Sequence, residues 1–486
     1  MILDKGNTAS AAATTLDDLF RRAGVRRPQA PALADPDDRE RFAGGAARRL
    51  TYAQADRVIS AIAARLRRLD LPTDAVVALQ LPNTVESVLS LLGVLRAGMI
   101  AAPLPLLWQR AEAAAALRAV GAKAILTCGR IGAVAPAEVA AQVAAEVFSI
   151  RHVCAFGATL SDGVSPLDDV FTAEADTIGA IARLAEPAGH IAAVTFDVTA
   201  GGIVPMARNH RQLIAAGAVV CEEARLAQDA NILSTVPLGS FAGLALTLAP
   251  WLINGGMLEL HHGFDAATFA TQAENRRDAL MLPASVLPRF TEARVLDNAG
   301  AVIALWRAPE RMQRAEPCLA HAAVIDVASF GEIAIAATRR QAGVPAPLTS
   351  GMVELARNAA GTLTLRGPMV PLAGFPLGAK PHPAANAAGF VDSGYPCRLA
   401  TDAQKLVVTG PPPGIASVGG YRFVARALDA LADSLEADAT LVVLPHELTG
   451  ERLAGHAPDR GPVVQELERR GVNPLIVDAF RRRQAA

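Results

Sequence analysis

Lysine is nearly absent: of 46 basic residues only Lys5, Lys123, Lys380 and Lys405 are lysines, and the remaining positive charge is arginine. An arginine in place of an expected lysine would therefore mean little, whereas a methionine or serine there means more. Cysteine is scarce too. The five, at 128, 154, 221, 318 and 397, are odd in number, widely spread and without a CxxC pair, which argues against a disulfide framework and a zinc site and predicts a cytoplasmic location. Neither sign of charge dominates: the formal net charge of −1 supplies no electrostatic case for a nucleic-acid or membrane-surface partner. The opening residues, MILDKGNTAS, lack the apolar centre of a signal peptide. The longest apolar stretch, 87–108, contains Arg96 and two prolines, so it reads as helix, turn and buried strand rather than a membrane span. No internal repeat is visible.

What is present is a long alternation of strand and helix patterns. With 486 residues, half of them apolar, two or three domains are expected. After an irregular leader with a short helix at 16–23, the spacing predicts a helix over 52–69, a buried strand over 75–81, a helix over 84–97 and a strand over 99–103. A helix to Val120 and a strand over 124–127 follow. A second series runs through a strand at 191–194, a helix over 210–226, a strand over 231–236, a helix over 242–253 and a strand over 257–260, with strand and turn at 322–335. Alternation at these lengths implies mostly parallel sheets covered on both faces. Short strands between proline and glycine breaks at 344–389 predict a small β-rich subdomain. The GPPPG run at 410–414 predicts a hinge, stiffened by its prolines, before a compact α/β tail.

Residues 195–210 read TFDVTAGGIVPMARNH, a Thr/Gly-rich loop between an apolar strand and a helix start. Such a turn aims backbone N–H groups at an anion, and a Lys or Ser/Thr normally completes the site. Thr199, Gly201, Gly202 and Pro205 are in place, but the next residue, Met206, offers only a thioether.

Across nearly its whole length the chain resembles the adenylate-forming enzymes, which include acyl-CoA synthetases, aryl-CoA ligases and peptide-synthetase adenylation domains. The segments that carry the likeness are 50–108, with its Thr-Tyr opening and the pair Pro82 and Asn83; 234–265; LRGPMVPLAGF at 365–375; and TGPPPGIASVGGYRF at 409–423. The resemblance implies an α/β fold: a large N-terminal AMP-binding-like domain (1–409) of two αβα-layered subdomains plus a β-rich subdomain, the hinge at 410–414, and a small, shortened C-terminal α/β domain (415–486). It also implies chemistry in which ATP and a carboxylate give an acyl-adenylate and pyrophosphate, chiefly through positioning and charge stabilisation.

Checked part by part, the polar members of that site are missing. Met206 takes the phosphate-loop lysine position. The YGxTE turn falls on Phe330, Gly331, Glu332, Ile333 and Ala334, so Ile333 and Ala334 stand where a phosphate contact and an oxygen ligand for magnesium are wanted. The ribose-binding TGD resembles Ser393, Gly394 and Tyr395, with Asp392 nearby as an imperfect substitute. In the hinge pattern Pro411, Gly414 and Ser417 replace Arg, Asp and Lys, and no lysine follows Lys405 to match the late catalytic lysine. Each such contact is commonly worth about 2.7–4 kcal/mol in the transition state.

No residue is therefore assigned a catalytic role. The candidate nucleotide-site residues are Thr199, Gly201, Gly202, Pro205, Phe330, Gly331, Glu332 and Asp392, and the candidate pocket wall is Ser240, Phe241 and Ser329. His261, His262 and Asp265 read as a strand end and loop rather than a metal site. His210 reads as a helix-start residue, Trp108, Trp251 and Trp306 as core or pocket wall, and Cys397 as inert. The preferred expectation is a binding or regulatory pseudoenzyme that takes an acyl or carboxylate small molecule and partners another protein, with no certain cofactor. The alternative is an active carboxylate ligase, in which Arg208 and Glu332 compensate and ATP, magnesium and CoA are used.

Overall fold

The computed structural model describes residues 14–173, 186–263, 265–312, 319, 321–341, 352–371, 374–376, 378–379, 384–400, 405–435 and 438–481. Cys318, Lys380 and the start of the expected β-rich stretch, 344–351, lie outside them.

Two large sheets form the body. The first has seven strands and is parallel from Ser165–Pro166 through His152–Phe156, Ala124–Cys128, Val76–Leu79 and Ile100–Pro103 to Ile191–Thr199. Only its last strand, Gly202–Asn209, is antiparallel. The second has eight strands, with a parallel centre running from Ala323–Phe330 through Ala299–Trp306, Arg277–Pro283, Ile232–Ser234 and Leu258–Leu260 to Pro31–Ala34. Near-continuous burial along the inner strands matches their Val/Ile/Leu/Ala-rich sequences, as expected for sheets covered on both faces.

Helix starts are written locally. Thr51 and Gln54 form a reciprocal cap at the start of Tyr52–Arg67, and Arg65 and Arg67 lie in its last turn. Asn209 and Gln212 do the same for His210–Ala224, which makes His210 a helix-start residue; its Nδ1 accepts from the Leu16 amide at 3.2 Å. The apolar stretch at 87–108 divides into helix Val85–Arg96 and strand Ile100–Pro103. No helix among the described residues is long and apolar enough to cross a membrane. The expected helix over 242–253 spans Phe241–Asn254 with a π turn at Leu244–Leu248. Pro250 has no N–H to return to the preceding turn, and the local widening accommodates its ring.

The β-rich unit is a four-stranded antiparallel sheet, Glu354–Arg357, Thr362–Arg366, Val391–Leu399 and Leu406–Val408. The C-terminal unit pairs Tyr421–Val424, Ile415–Val418, Gly450–His456 and Thr440–His446, and packs helices Ala425–Asp433, Arg460–Arg470 and Pro474–Arg481 around its own core, centred on Leu467 and Phe480.

Candidate functional site

Residues 195–209, expected as a loop, form most of a long hairpin. The strand begun at Ile191 continues to Thr199, and Gly202–Asn209 returns beside it, pairing Thr195 with Met206 and Thr199 with Gly202. The β-branched Thr195, Val198, Ile203 and Val204 suit extended strand, and Ala200 and Gly201 supply the tight turn. Thr199 is spent inside that turn: its Oγ1 accepts from the Gly201 amide and donates to the Gly202 carbonyl, both at 3.2 Å. Met206 is 2% exposed and packs in the core.

Further along the hairpin is a cavity of about 200 Å³ between the large domain and the Ile415–Val424 hairpin of the C-terminal domain. Trp108 and Phe196 form an aromatic wall, ring centroids 5.9 Å apart. Of the sequence candidates, Ser240, Ser329, Gly331 and Glu332 line this cavity together. Thr199, Gly201, Gly202 and Pro205 lie up the hairpin, outside the lining. Phe330 and Phe241 are fully buried beside it, Phe241 under the Arg208 guanidinium at 3.7 Å and Phe330 edge-on to Tyr395 at 5.6 Å. Asp392 is engaged within the β-rich sheet, accepting from Thr362 Oγ1 at 2.8 Å, Asn358 Nδ2 at 2.9 Å and the Gly394 amide at 2.9 Å.

The residues that organise the cavity electrostatically are ones the sequence reading passed over. Asp197 is 5% exposed and receives Arg422 Nη1 of the C-terminal hairpin at 2.6 Å. The second Arg422 nitrogen donates to the Tyr395 hydroxyl at 2.5 Å. Burial pulls the Arg422 pKa down but is outweighed by Asp197 and Tyr395, so it lies above its ordinary value. Gly331 permits this approach: its φ is +58°, and a Cβ there would lie 2.5 Å from Arg422 Nη1 and 2.7 Å from Asp197 Oδ2. Tyr421 adds a second tie, its hydroxyl accepting from the Leu107 amide at 3.3 Å. Arg426 donates to the Ala200 carbonyl at 2.7 Å and so holds the hairpin tip.

Arg208, expected as a compensating cation, is spent internally. Its guanidinium donates to the Met369 carbonyl at 3.2 Å, the Ile333 carbonyl at 2.8 Å, the Glu332 carbonyl and, at 3.5 Å, Thr195 Oγ1. Burial pulls its pKa down to about 9 against the opposing pull of Glu332 and Asp197. Burial, then the Asp197 carboxylate, raises the Glu332 pKa, and Glu332 Oε2 accepts the Phe241 amide at 2.6 Å. A magnesium ion requires near-octahedral oxygen coordination at about 2.0–2.1 Å. Asp197 is taken by arginine, Glu332 by an amide, and Ile333 and Ala334 carry no side-chain oxygen, so this donor set does not fit one.

His261 and His262 do not converge on an ion. His261 Nδ1 pairs with Gln272 Oε1 at 2.7 Å, His262 Nδ1 accepts the Asn83 amide at 3.2 Å, and Asp265 caps the Ala266–Ala273 helix. No metal-holding group of three or more His, Cys, Asp or Glu occurs among the described residues. Faint signals for the missed residues existed: Asp197 is a lone acid in an apolar strand, and Arg422 stands inside the GYRF run.

Residues 20–196 match the family described as AMP-binding enzyme. Solved structures similar over almost the whole chain include apo MbtA from Mycobacterium smegmatis, at 21% identity over 97% of this chain and 92% of that chain with a TM-score of 0.70. Others are ATP-bound MatB from Rhodopseudomonas palustris, at 17% identity, 94% and 92% coverage and TM-score 0.66, and the amide bond synthetase McbA from Marinactinospora thermotolerans, at 18%, 96% and 94%, and 0.73. No curated protein matches. The fold is that of adenylate-forming enzymes, and residues 20–196 carry the AMP-binding sequence pattern.

Proposed function

We propose that this protein is a binding or regulatory pseudoenzyme: an acyl-CoA synthetase-like chain that has lost ordinary ATP-dependent carboxylate adenylation and uses its interdomain cavity to hold a small acyl or carboxylate molecule, with another protein as its partner. The observation that carries this reading is the buried Asp197–Arg422–Tyr395 network. Tyr395 stands at the position that the resemblance gives to the ribose-binding carboxylate, and its hydroxyl receives an arginine from the C-terminal domain instead. Two facts support the same reading. The phosphate-loop position is the core residue Met206, and the cavity of about 200 Å³ is below the ~300–1,000 Å³ usual for sites that enclose drug-sized ligands. Glu332 and Arg208, which the ligase alternative would recruit, are each committed to protein groups.

Calorimetric titration of ATP with magnesium tests the proposal, followed by a pyrophosphate assay with a panel of carboxylates. The expected outcome is no heat at millimolar ATP and no pyrophosphate. Binding accompanied by carboxylate-dependent pyrophosphate release would sink the pseudoenzyme reading and establish a ligase.

A further inference from the structure

Two domains joined by a short linker ordinarily move against one another unless their boundary holds them. Here the boundary is held at separated points, and the deepest of them uses the cavity's own polar groups. Arg422 enters the cavity from the C-terminal hairpin and lies between the Asp197 carboxylate, at 2.6 Å, and the Tyr395 hydroxyl, at 2.5 Å. Asp197 belongs to the seven-stranded sheet and Tyr395 to the β-rich sheet, so one side chain ties both to the C-terminal domain. A planar guanidinium presents its donors as a fixed fork and can serve two acceptors at once, which a single ammonium does poorly. Gly331, having no side chain, leaves room for it.

The other ties end on backbone groups and lie elsewhere on the C-terminal domain. The Tyr421 hydroxyl accepts from the Leu107 amide at 3.3 Å. Arg426, in the first turn of helix Ala425–Asp433, donates to the Ala200 carbonyl at 2.7 Å. Arg311 reaches the turn that precedes Gly450–His456, donating to the carbonyls of His446 at 2.7 Å and Gly450 at 2.6 Å. Because these ties sit on separate turns, a swing about the 410–414 hinge has to break them together.

The arrangement is also an occupation. Asp197 and Tyr395 line the cavity, and both are already hydrogen-bonded to Arg422. An arginine tethered through a short linker competes as though present at about millimolar concentration or above, so a free molecule that needs the same two groups meets a site filled in cis. We propose that the C-terminal domain is a bolted lid: Arg422 occupies the Asp197–Tyr395 pair from within the chain, the two domains move as one body, and that pair becomes available to any other molecule only when the bolt is drawn. Arg422 is then an autoinhibitory residue, and loss of its fork frees the lid.

The chain has three tyrosines, and their places supply the assay. Tyr395 and Tyr421 stand at the boundary, whereas Tyr52 is 1% exposed in the core of the large domain and reports unfolding. Nitration by tetranitromethane, mapped by peptide mass spectrometry, is followed in wild-type protein and in R422A after a melting curve shows the variant folded. Wild type is expected to keep Tyr395 and Tyr421 about tenfold or more less reactive than N-acetyltyrosinamide. R422A is expected to raise both by about tenfold or more while Tyr52 stays protected, since the stranded Asp197 carboxylate favours opening. Ethylguanidinium, which refills the missing fork, should restore protection in R422A, and ethylammonium should not. The proposal is overturned if the wild-type boundary tyrosines react like the free compound, a result that decides the matter even where R422A does not fold. It is overturned equally if folded R422A protects both, if Tyr395 alone gains reactivity, which marks a local hole and not a lifted lid, or if ethylguanidinium does no better than ethylammonium. Pyrophosphate release from ATP would remove the pseudoenzyme reading and leave protected tyrosines as they are; reactive wild-type tyrosines would remove the lid and leave that reading standing.

Discussion

Replacing Arg422 with alanine isolates what holds the C-terminal domain over the cavity. The guanidinium makes two short contacts across the boundary, 2.6 Å to Asp197 and 2.5 Å to the Tyr395 hydroxyl, and the Arg422 and Asp197 side chains are 11% and 7% exposed. In R422A the Asp197 carboxylate stays buried without its cation, and stranding one partner of a buried pair costs about 3–5 kcal/mol. At about 1.4 kcal/mol per decade, the domain-docking equilibrium shifts by roughly 10²- to 10⁴-fold toward opening. Docking is weakened rather than abolished, because Arg311 still donates to the carbonyls of His446 at 2.7 Å and Gly450 at 2.6 Å. The Leu107 amide is a suitable reporter, since it is tied to the Tyr421 hydroxyl across the boundary. Its hydrogen exchange should accelerate in R422A well beyond any change in global stability measured by denaturant unfolding. Wild-type exchange at Leu107 in a folded R422A protein would refute the reasoning.

Two other outcomes follow from burial. M206K, which restores a lysine at the phosphate-loop position, should lower unfolding stability by several kcal/mol and give no ATP heat, because a 2%-exposed core position would have to take an ammonium group; denaturant melts and calorimetry read both. Burial, then His261, holds the His262 pKa at about 4, below the ordinary 6.5. Between those values the unfolded chain binds the extra proton, so stability falls as pH drops from about 6.5 to about 4, by up to about 3 kcal/mol. Melts of H262Q across that window should show a flatter profile than wild type.

The alternation of elements was legible because hydrophobic periodicity is a local property. Tyr52–Arg67, Val76–Leu79, Val85–Arg96 and Ile100–Pro103 all fall within the segments that their spacing marks out. The hairpin at 191–209 was not, since Thr-Ala-Gly-Gly serves equally as a phosphate-cradling loop or a tight antiparallel turn, and only the strand that returns beside Ile191–Thr199 distinguishes them. The cavity was half legible. Ser240, Ser329, Gly331 and Glu332 stand in motif-like segments, whereas Asp197 and Arg422 are 225 residues apart and carry no shared local pattern.

The sequence by itself determined the layered α/β architecture, the order of its units and the absence of lysine from the positions where the resemblance calls for one. The alternation follows from residue spacing; the order of the units and the lysine positions rest on the resemblance. Only the tertiary structure decided that Met206 is a core side chain, that Arg208 serves backbone carbonyls, and that Asp197, Tyr395 and Arg422 meet. The physical reason is that the worth of a buried charge depends on which partner the fold brings within hydrogen-bond distance, and in this chain those partners come from different domains.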